Sequence, residues 1–317
     1  MTKATEVTAQ LNTGDSIPLL GYGTVFEADY EGDYAIFKEA LKAALLVAGY
    51  KHIDTAWYYG TEESIGEVLD ELFKSGKLKR EEIFITTKVW PCFWNDPETS
   101  VDASLKHLKL DQVNLLLQHW PIAFEKVEDK NGRVPVPRDS NGNFLFDKNG
   151  DYLITYKKLL EIKNQGKAKA IGVSNYTVEM LERVIKETGV APAVNQVELH
   201  PHLPQIELYN YCSEKNIILE AYSPFGSTGA PNLKIPLVSD LAKKYDVSAA
   251  DILVNYCIAK DIVVLPRSTN IERIKQGYPL VELKKTDIDA LDDFGIKNPK
   301  RYINEEWGRN LGFDHWD

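Results

Sequence analysis

The chain has 317 residues, 44% hydrophobic and 26% charged, and Lys+Arg 37 against Asp+Glu 47 leaves a net charge of −10. This composition excludes long disorder, collagen-like repeats and a disulfide-stapled miniprotein. An acidic surface is also a poor non-specific ligand for nucleic acid or anionic lipid, since both are polyanions.

In chain order, Leu11-Asn12-Thr13-Gly14-Asp15-Ser16 predicts a turn between two short strands, because Asn and Gly tolerate positive φ. Leu19–Gly23 reads as a short strand ending in glycine. Asp33–Ala48 has helical spacing, with Ile36, Phe37, Ala40, Leu41, Ala44 and Leu45 as its apolar stripe. Strand His52–Asp54 leads to a helix around Glu62–Phe73, strand Ile83–Val89 to helix Pro97–Leu108, and Val113–Gln118 is the next strand. The stretch 125–151 is rich in Asn, Gly, Pro, Asp and Lys and reads as an excursion loop.

The alternation then resumes. Helix Tyr156–Asn164 precedes strand Ala168–Val173, helix Val178–Thr188 precedes Ala193–Glu198, and helix Gln205–Lys215 precedes Ile217–Tyr222. Helices around Val238–Lys244 and Ala249–Ala259 lead to strand Ile262–Leu265. About eight β-then-α units result, the count a closed (β/α)8 barrel needs. The expected fold is therefore α/β, a TIM barrel with a short N-terminal β-hairpin, in one domain spanning 1–317. A doubly wound open sheet is the competing architecture. No composition break, internal repeat or low-complexity segment divides the chain.

Cys92, Cys212 and Cys257 form no CxxC pair and no zinc spacing, and free thiols fit a reducing cytosol. Met1–Thr8 has no apolar core of the kind a signal peptide carries, and the apolar run Ala43–Gly49 is far shorter than the ~20 residues of a membrane span. The chain ends in His315-Trp316-Asp317, neither a prenylation box nor a peroxisomal address. A cytoplasmic protein without membrane or nucleic-acid partners is expected, with a monomer as the default and a dimer left open.

Catalytic groups of a barrel lie at the C-terminal ends of its strands and in the following loops. The second strand ends in Asp54, with Tyr59 five residues on; the third ends in Lys88; the fourth runs into Gln118-His119-Trp120-Pro121. Each residue alone has an ordinary structural reading, but together they suit proton delivery. A tyrosine has a reference pKa of ~10, and a neighbouring ammonium is expected to lower it. Asp54 would keep Lys88 charged and oriented, and His119 would hydrogen-bond a substrate oxygen. Trp57, Trp90 and Trp120 would build an apolar pocket mouth or simply pack.

His200-Pro201-His202 invites a metal-dependent hydrolase reading. With only six histidines, and His52 and His107 poorly placed, both are expected to be loop residues and no metal is expected. There is no GxGxxG and no GxxxxGK[ST], and Gly21-Tyr22-Gly23 lacks a third glycine. Arg267 and Arg273, close together after the last strand, read either as an anion site or as a solvated helix start.

The run from Gly49-Tyr50-Lys51-His52-Ile53-Asp54 through Thr55-Ala56-Trp57-Tyr58-Tyr59-Gly60-Thr61-Glu62 resembles the aldo-keto reductase signature around its catalytic Asp and Tyr. Ile85-Thr86-Thr87-Lys88-Val89-Trp90 and Gln118-His119-Trp120-Pro121 are similar to the family's Lys and His segments. The resemblance continues at Lys169–Asn175, Ala193–Glu198, Ala221–Ser227 and Leu265–Ser268, so it covers nearly the whole chain. Its nearest flavour is that of yeast reductases acting on aldehydes, ketones and sugars.

The resemblance implies NADPH-dependent reduction of a small carbonyl substrate, with NADH also open. Tyr59 would be the general acid, Lys88 and Asp54 would tune it, and His119 would orient the carbonyl. Ser174, Asn175 and Gln196 would hold the nicotinamide carboxamide, with Tyr222 stacked on the ring and Thr24 also at the cofactor. Ser223, Phe225 and Ser227 would line the pyrophosphate loop, and Arg267, Ser268, Asn270 and Arg273 would surround the adenosine 2′-phosphate. The dinucleotide would lie extended across the barrel mouth.

The chain departs from the pattern at three places. Val25 stands where many members carry a pocket Trp, which opens the site there. Arg267 replaces a common Lys. Gln276-Gly277 replaces an acid–Asn pair, which weakens the expected adenine grip. Val25, Trp90, Trp120, Phe124 and Trp307 are the expected pocket residues, Phe313 is a further candidate, and 125–151 and the tail 295–317 would border the pocket. The competing class is a non-catalytic, dinucleotide-binding barrel acting as a redox sensor or partner subunit.

Overall fold

The computed structural model describes residues 2–26 and 34–316. Strands β1 (Thr8–Gln10) and β2 (Ser16–Pro18) pair antiparallel, Thr8 opposite Pro18, around the expected turn. Helix α1 (Ala35–Ala43) continues as a π-helical turn to Ala48 and ends at Gly49 with φ 84°; the expected start at Asp33 lies outside the described residues. Phe37, Ala40, Leu41, Ala44 and Leu45 are buried, but Ile36 is 59% exposed. Ile36 lies about 100° round the helix from Phe37, at the edge of the stripe, where the first turn leaves it open.

The remaining elements alternate. They are β3 (Tyr22–Gly23), β4 (His52–Asp54), α2 (Glu62–Lys74), β5 (Phe84–Val89), α3 (Pro97–Leu108) and β6 (Val113–Gln118). After a two-stranded insert, β7 (Glu128–Asp129) and β8 (Gly132–Arg133), come α4 (Tyr152–Asn164), β9 (Ala168–Ser174), α5 (Val178–Thr188) and β10 (Val194–Glu198). Then follow α6 (Ile206–Glu214), β11 (Ile218–Tyr222), α7 (Pro236–Tyr245), α8 (Ala249–Ile258), β12 (Val263–Leu265), α9 (Ile271–Gln276) and α10 (Lys285–Lys297).

One eight-stranded sheet runs β12-β11-β10-β9-β6-β5-β4-β3, and every neighbouring pair in it is parallel. It closes where Val264 N donates to Leu19 O at 2.8 Å, Gly21 N to Val264 O at 2.9 Å and Gly23 N to Pro266 O at 3.1 Å. The expected strand Leu19–Gly23 is thus shared between β12 at its start and β4 at its end. β5 and β10 are buried at every position, as strands covered on both faces must be. The fold is a (β/α)8 barrel.

The excursion carries more structure than a loop. Besides the β7–β8 hairpin, Phe124 bridges Phe146 and Arg138 bridges Phe144. Trp90 Nε1 donates to Pro135 O at 2.6 Å, and Arg133 donates to Cys92 O at 2.6 Å while pairing with Asp96 at 3.0 Å. The C-terminal tail is held from inside. Glu198, at the end of β10, accepts from Tyr302 N at 2.7 Å and from Ile303 N at 2.8 Å. Both segments therefore lie over the C-terminal ends of the strands.

Helices α2 and α3 meet at Gly66, where an added Cβ would lie 2.0 Å from His107 O and 2.9 Å from Leu108 C. Those are backbone atoms, so the contact cannot be relieved by a rotamer change. Gly66→Ala is expected to lower stability by about 1–3 kcal/mol, as overpacking does, read as a lower midpoint in urea unfolding at unchanged slope.

Candidate active site

Asp54 closes β4, and the 3-10 turn Trp57–Tyr59 ends at Gly60, whose φ of 66° suits a residue without Cβ. That turn brings Tyr59 back over the strand end. Lys88 lies on fully buried β5 and is itself 1% exposed. Its Nζ donates to Asp54 Oδ1 at 2.7 Å and Oδ2 at 2.8 Å, to Thr55 O at 2.9 Å and to the Tyr59 hydroxyl at 3.2 Å. The ammonium is therefore both paired and fully hydrogen-bonded, which is what makes a buried charge tolerable.

Burial pushes the Lys88 ammonium down, but Asp54 and Tyr59 push it up further, so it sits above its ordinary value and stays charged. Tyr59 differs from the sequence expectation. Burial raises the phenol, and the lowering by Lys88 does not overcome it, so the hydroxyl lies above its ordinary value and keeps its proton. His119 is pushed well below its ordinary value by burial, then by Lys88, and is neutral. Its ring centroid is 5.5 Å from that of Tyr59 and 4.9 Å from that of Trp90, and its buried Nδ1 has no partner among the described residues.

A cavity of about 370 Å³ opens on this cluster. Asp54, Tyr59 and His119 line its floor, and Val25, Trp90, Trp120 and Trp307 line its walls. Sequence reasoning missed Tyr58, Ile303 and Glu305, which also line it. Tyr58 stacks on Trp90 with centroids 3.7 Å apart. Two expected pocket residues stand elsewhere. Phe124 is fully buried and supports the wall from behind, with Phe146 5.4 Å and Trp307 6.4 Å away. Phe313 packs on Trp316 beside the Arg301 guanidinium.

The cavity continues as a groove past Ser174, Asn175, Gln196 and Tyr222 to Ser223, Phe225, Ser227 and Arg267. Asn175 has φ 63°, a conformation Asn accepts more readily than most residues. Its Nδ2 donates to His119 O at 3.0 Å, and its Oδ1 accepts from the Tyr222 hydroxyl at 2.9 Å. Ser223 and Ser227 also have positive φ, 52° and 64°, so this loop is held in an unusual shape. Arg267 reaches across the mouth and donates to Val25 O at 2.6 Å.

The other expected cofactor residues do not line the cavity. Thr24 is buried behind Asp54 and donates to its carbonyl at 2.8 Å. Ser268 accepts from Asn270 N at 3.1 Å, and Asn270 caps α9 by accepting from Arg273 N at 3.0 Å. Arg273 is exposed on that helix. The histidine pair divides: His200 is buried against Glu198 at 2.8 Å, whereas His202 contacts Asn298 O at 2.8 Å. Among the described residues no group of His, Cys, Asp and Glu is arranged to hold a metal ion.

Lys88→Met would leave Asp54 buried and unpaired, and is expected to cost about 3–5 kcal/mol of stability at neutral pH. Adding Asp54→Asn should recover part of that loss, and a double-mutant cycle in urea measures the difference.

The model of the aldo/keto reductase family matches residues 19–296. Aldehyde reductase YPR1 of Saccharomyces cerevisiae is 39% identical over 311 residues, covering 96% of each chain. A glycerol 2-dehydrogenase (NADP(+)) of the same yeast is 39% identical over 302 residues, 94% of each. Among solved structures, the silkworm Bombyx mori aldo-keto reductase AKR2E5 complexed with NADPH superposes with a TM-score of 0.83 at 33% identity, covering 98% of this chain and 94% of that one. The chain belongs to the aldo/keto reductase family.

Proposed function

We propose that the chain reduces aldehydes and ketones to alcohols with NADPH, Tyr59 serving as proton donor. The observation that carries this reading is the Lys88 ammonium, which contacts both Asp54 and the Tyr59 hydroxyl on the floor of a cavity. The relatives named for NADP and the neighbour complexed with NADPH support the choice of coenzyme.

The groove suits that coenzyme chemically. An arginine fork and serine hydroxyls suit phosphate. The side chains of Ser174, Asn175 and Gln196 suit a carboxamide, and the Tyr222 ring offers a flat face. Bound NADPH supplies the hydride that goes to the carbonyl carbon. Tyr59 gives its proton to the carbonyl oxygen, and the charged Lys88 beside it stabilises the phenolate left behind. Neutral His119 is free to hydrogen-bond the same oxygen and so orient the carbonyl. Burial keeps the Tyr59 proton in place until it is needed.

Val25, 44% exposed, leaves that side of the cavity wide, so polyhydroxylated carbonyl compounds belong in the substrate panel beside small aldehydes and ketones. The same reading takes the chain as one barrel domain acting as a monomer in the cytoplasm. The buried free thiols Cys92, Cys212 and Cys257 agree with a reducing compartment. No described helix is long and apolar enough to cross a membrane.

The first experiment follows loss of reduced-nicotinamide absorbance with a carbonyl panel. Tyr59→Phe is expected to lower kcat by about 10²–10⁴, the usual worth of a general acid, while NADPH still binds with the wild-type Kd. Full activity in that variant would overturn the proton-donor role. Arg267→Ala is expected to raise the Kd for NADPH about tenfold, as loss of a charge-assisted phosphate contact does, and to leave the Kd for NADH unchanged. Fluorescence titration with both coenzymes measures this.

A further inference from the structure

Glu220 lies on β11 two residues before Tyr222, so the pleat turns both side chains to the same face of the sheet. Tyr222 lines the groove, while Glu220 is 0% exposed in the barrel interior. A carboxyl buried so deeply needs a specific partner. Its Oε2 accepts from Gln196 Nε2 at 2.7 Å, and the same nitrogen donates to Asp54 Oδ2 at 2.8 Å. An amide nitrogen has two hydrogens, and both go to carboxyl oxygens here. A flipped amide would set its carbonyl oxygen against the Asp54 carboxyl and lose that bond. Gln196 Oε1 therefore points away from both carboxyls, and among the described residues it accepts no hydrogen bond, although Gln196 lines the groove.

We propose that Glu220 is a positioning residue that locks the Gln196 amide, so that Oε1 stands in the groove as a fixed acceptor for the carboxamide N–H of the coenzyme. This rests on the coenzyme reading above. Glu220 acts through Gln196 and touches neither coenzyme nor substrate.

The surroundings of Glu220 give the lock a dependence on pH. Asp54 and His52 face it from β4, Lys88 from β5 and Tyr59 from the turn after β4, while its β12 neighbour is the apolar Val263. His52 Nε2 is 4.0 Å from Glu220 Oε1, too far for a hydrogen bond, and contacts Thr86 Oγ1 at 2.9 Å instead. Burial pulls His52 down to about 4, so it carries no charge at neutral pH. Burial, then the charge of Asp54, raises Glu220 to about 8. At neutral pH the cluster thus holds one carboxylate and one ammonium. Above about pH 8 Glu220 loses its proton, and its charge raises Tyr59, making it a weaker acid. Reduction should slow on that alkaline limb.

The test uses Glu220→Gln, which keeps an acceptor but cannot ionise, and Glu220→Met, which has no amide acceptor. Glu220→Leu is a second apolar variant should Glu220→Met misfold, as judged by circular dichroism. The Kd for NADPH is expected to stay within about twofold of wild type in E220Q and to rise about fivefold to tenfold in the apolar variants, the worth of one buried hydrogen bond. The alkaline fall in kcat near pH 8 should vanish in E220Q while KM is unchanged. Without coenzyme, infrared difference spectra of the free protein should show a carboxyl band that titrates near pH 8 and is missing in E220Q. The Glu62 carboxyl, raised to about 7 by burial, should remain. A wild-type Kd in both apolar variants, or an unaltered carboxyl band in E220Q, would overturn the proposal. A wild-type protein that fails to bind NADPH would overturn the coenzyme reading first and the acceptor role with it, whereas normal wild-type binding with unaffected variants overturns the Glu220 role alone.

Discussion

The buried ammonium of Lys88 is the charge around which the C-terminal end of the barrel is arranged. An unpaired ammonium there would neutralise itself by losing its proton. It stays charged because Asp54, Thr55 O and Tyr59 surround it at 2.7–3.2 Å. Each partner is fixed by a different device. Asp54 is the last residue of β4, Tyr59 is brought round by a short turn ending at Gly60, and Lys88 is locked in a fully buried strand. The place of Tyr59 is thus set by the requirement to satisfy a cation, and burial decides that it keeps its proton.

The pocket walls depend on a second buried carboxylate. Glu198 ends β10 and turns its oxygens to the backbone of Tyr302 and Ile303 and to His200. A segment more than a hundred residues away in sequence is thereby tied to the barrel end, and it carries Ile303, Glu305 and Trp307 into the cavity wall. The excursion is tied on the other side by Trp90 and Arg133. Rigid strands hold the Lys88–Asp54 pair, and two added segments shape the space above it. This is the usual division of labour on a barrel.

Polar groups inside a barrel must find partners or be lost from the core. Here they form one connected set, Lys88–Asp54–Gln196–Glu220, which crosses from β5 and β4 to β10 and β11. Such networks specify side-chain orientation more strongly than isolated contacts do. The amide of Gln196 is held because both of its hydrogens are taken, one by Asp54 and one by Glu220.

Local pattern was enough for much of this protein. The limits of α3, α5 and β6 fall where the residue pattern put them, at Pro97–Leu108, Val178–Thr188 and Val113–Gln118. Asp54, Tyr59, Lys88 and His119 were legible because barrel strands end at the functional face, so the identity of a strand's last residues already carries position. Other features depend on what meets across the barrel. The sign of the Tyr59 shift depends on how deeply the ring is buried, which no spacing records. Ile36 and Phe124 were misassigned because apolar character alone does not say which side of a helix or wall a residue occupies. Glu220 did leave a trace, an acid in an otherwise uncharged strand, but Asp54, which accepts the other hydrogen of the same Gln196 amide, lies in β4, across the barrel interior. Gln196 and Asp54 are 142 residues apart in the chain. Only closure of the sheet brings those side chains to one point, and so only the tertiary structure decided which polar groups share a hydrogen.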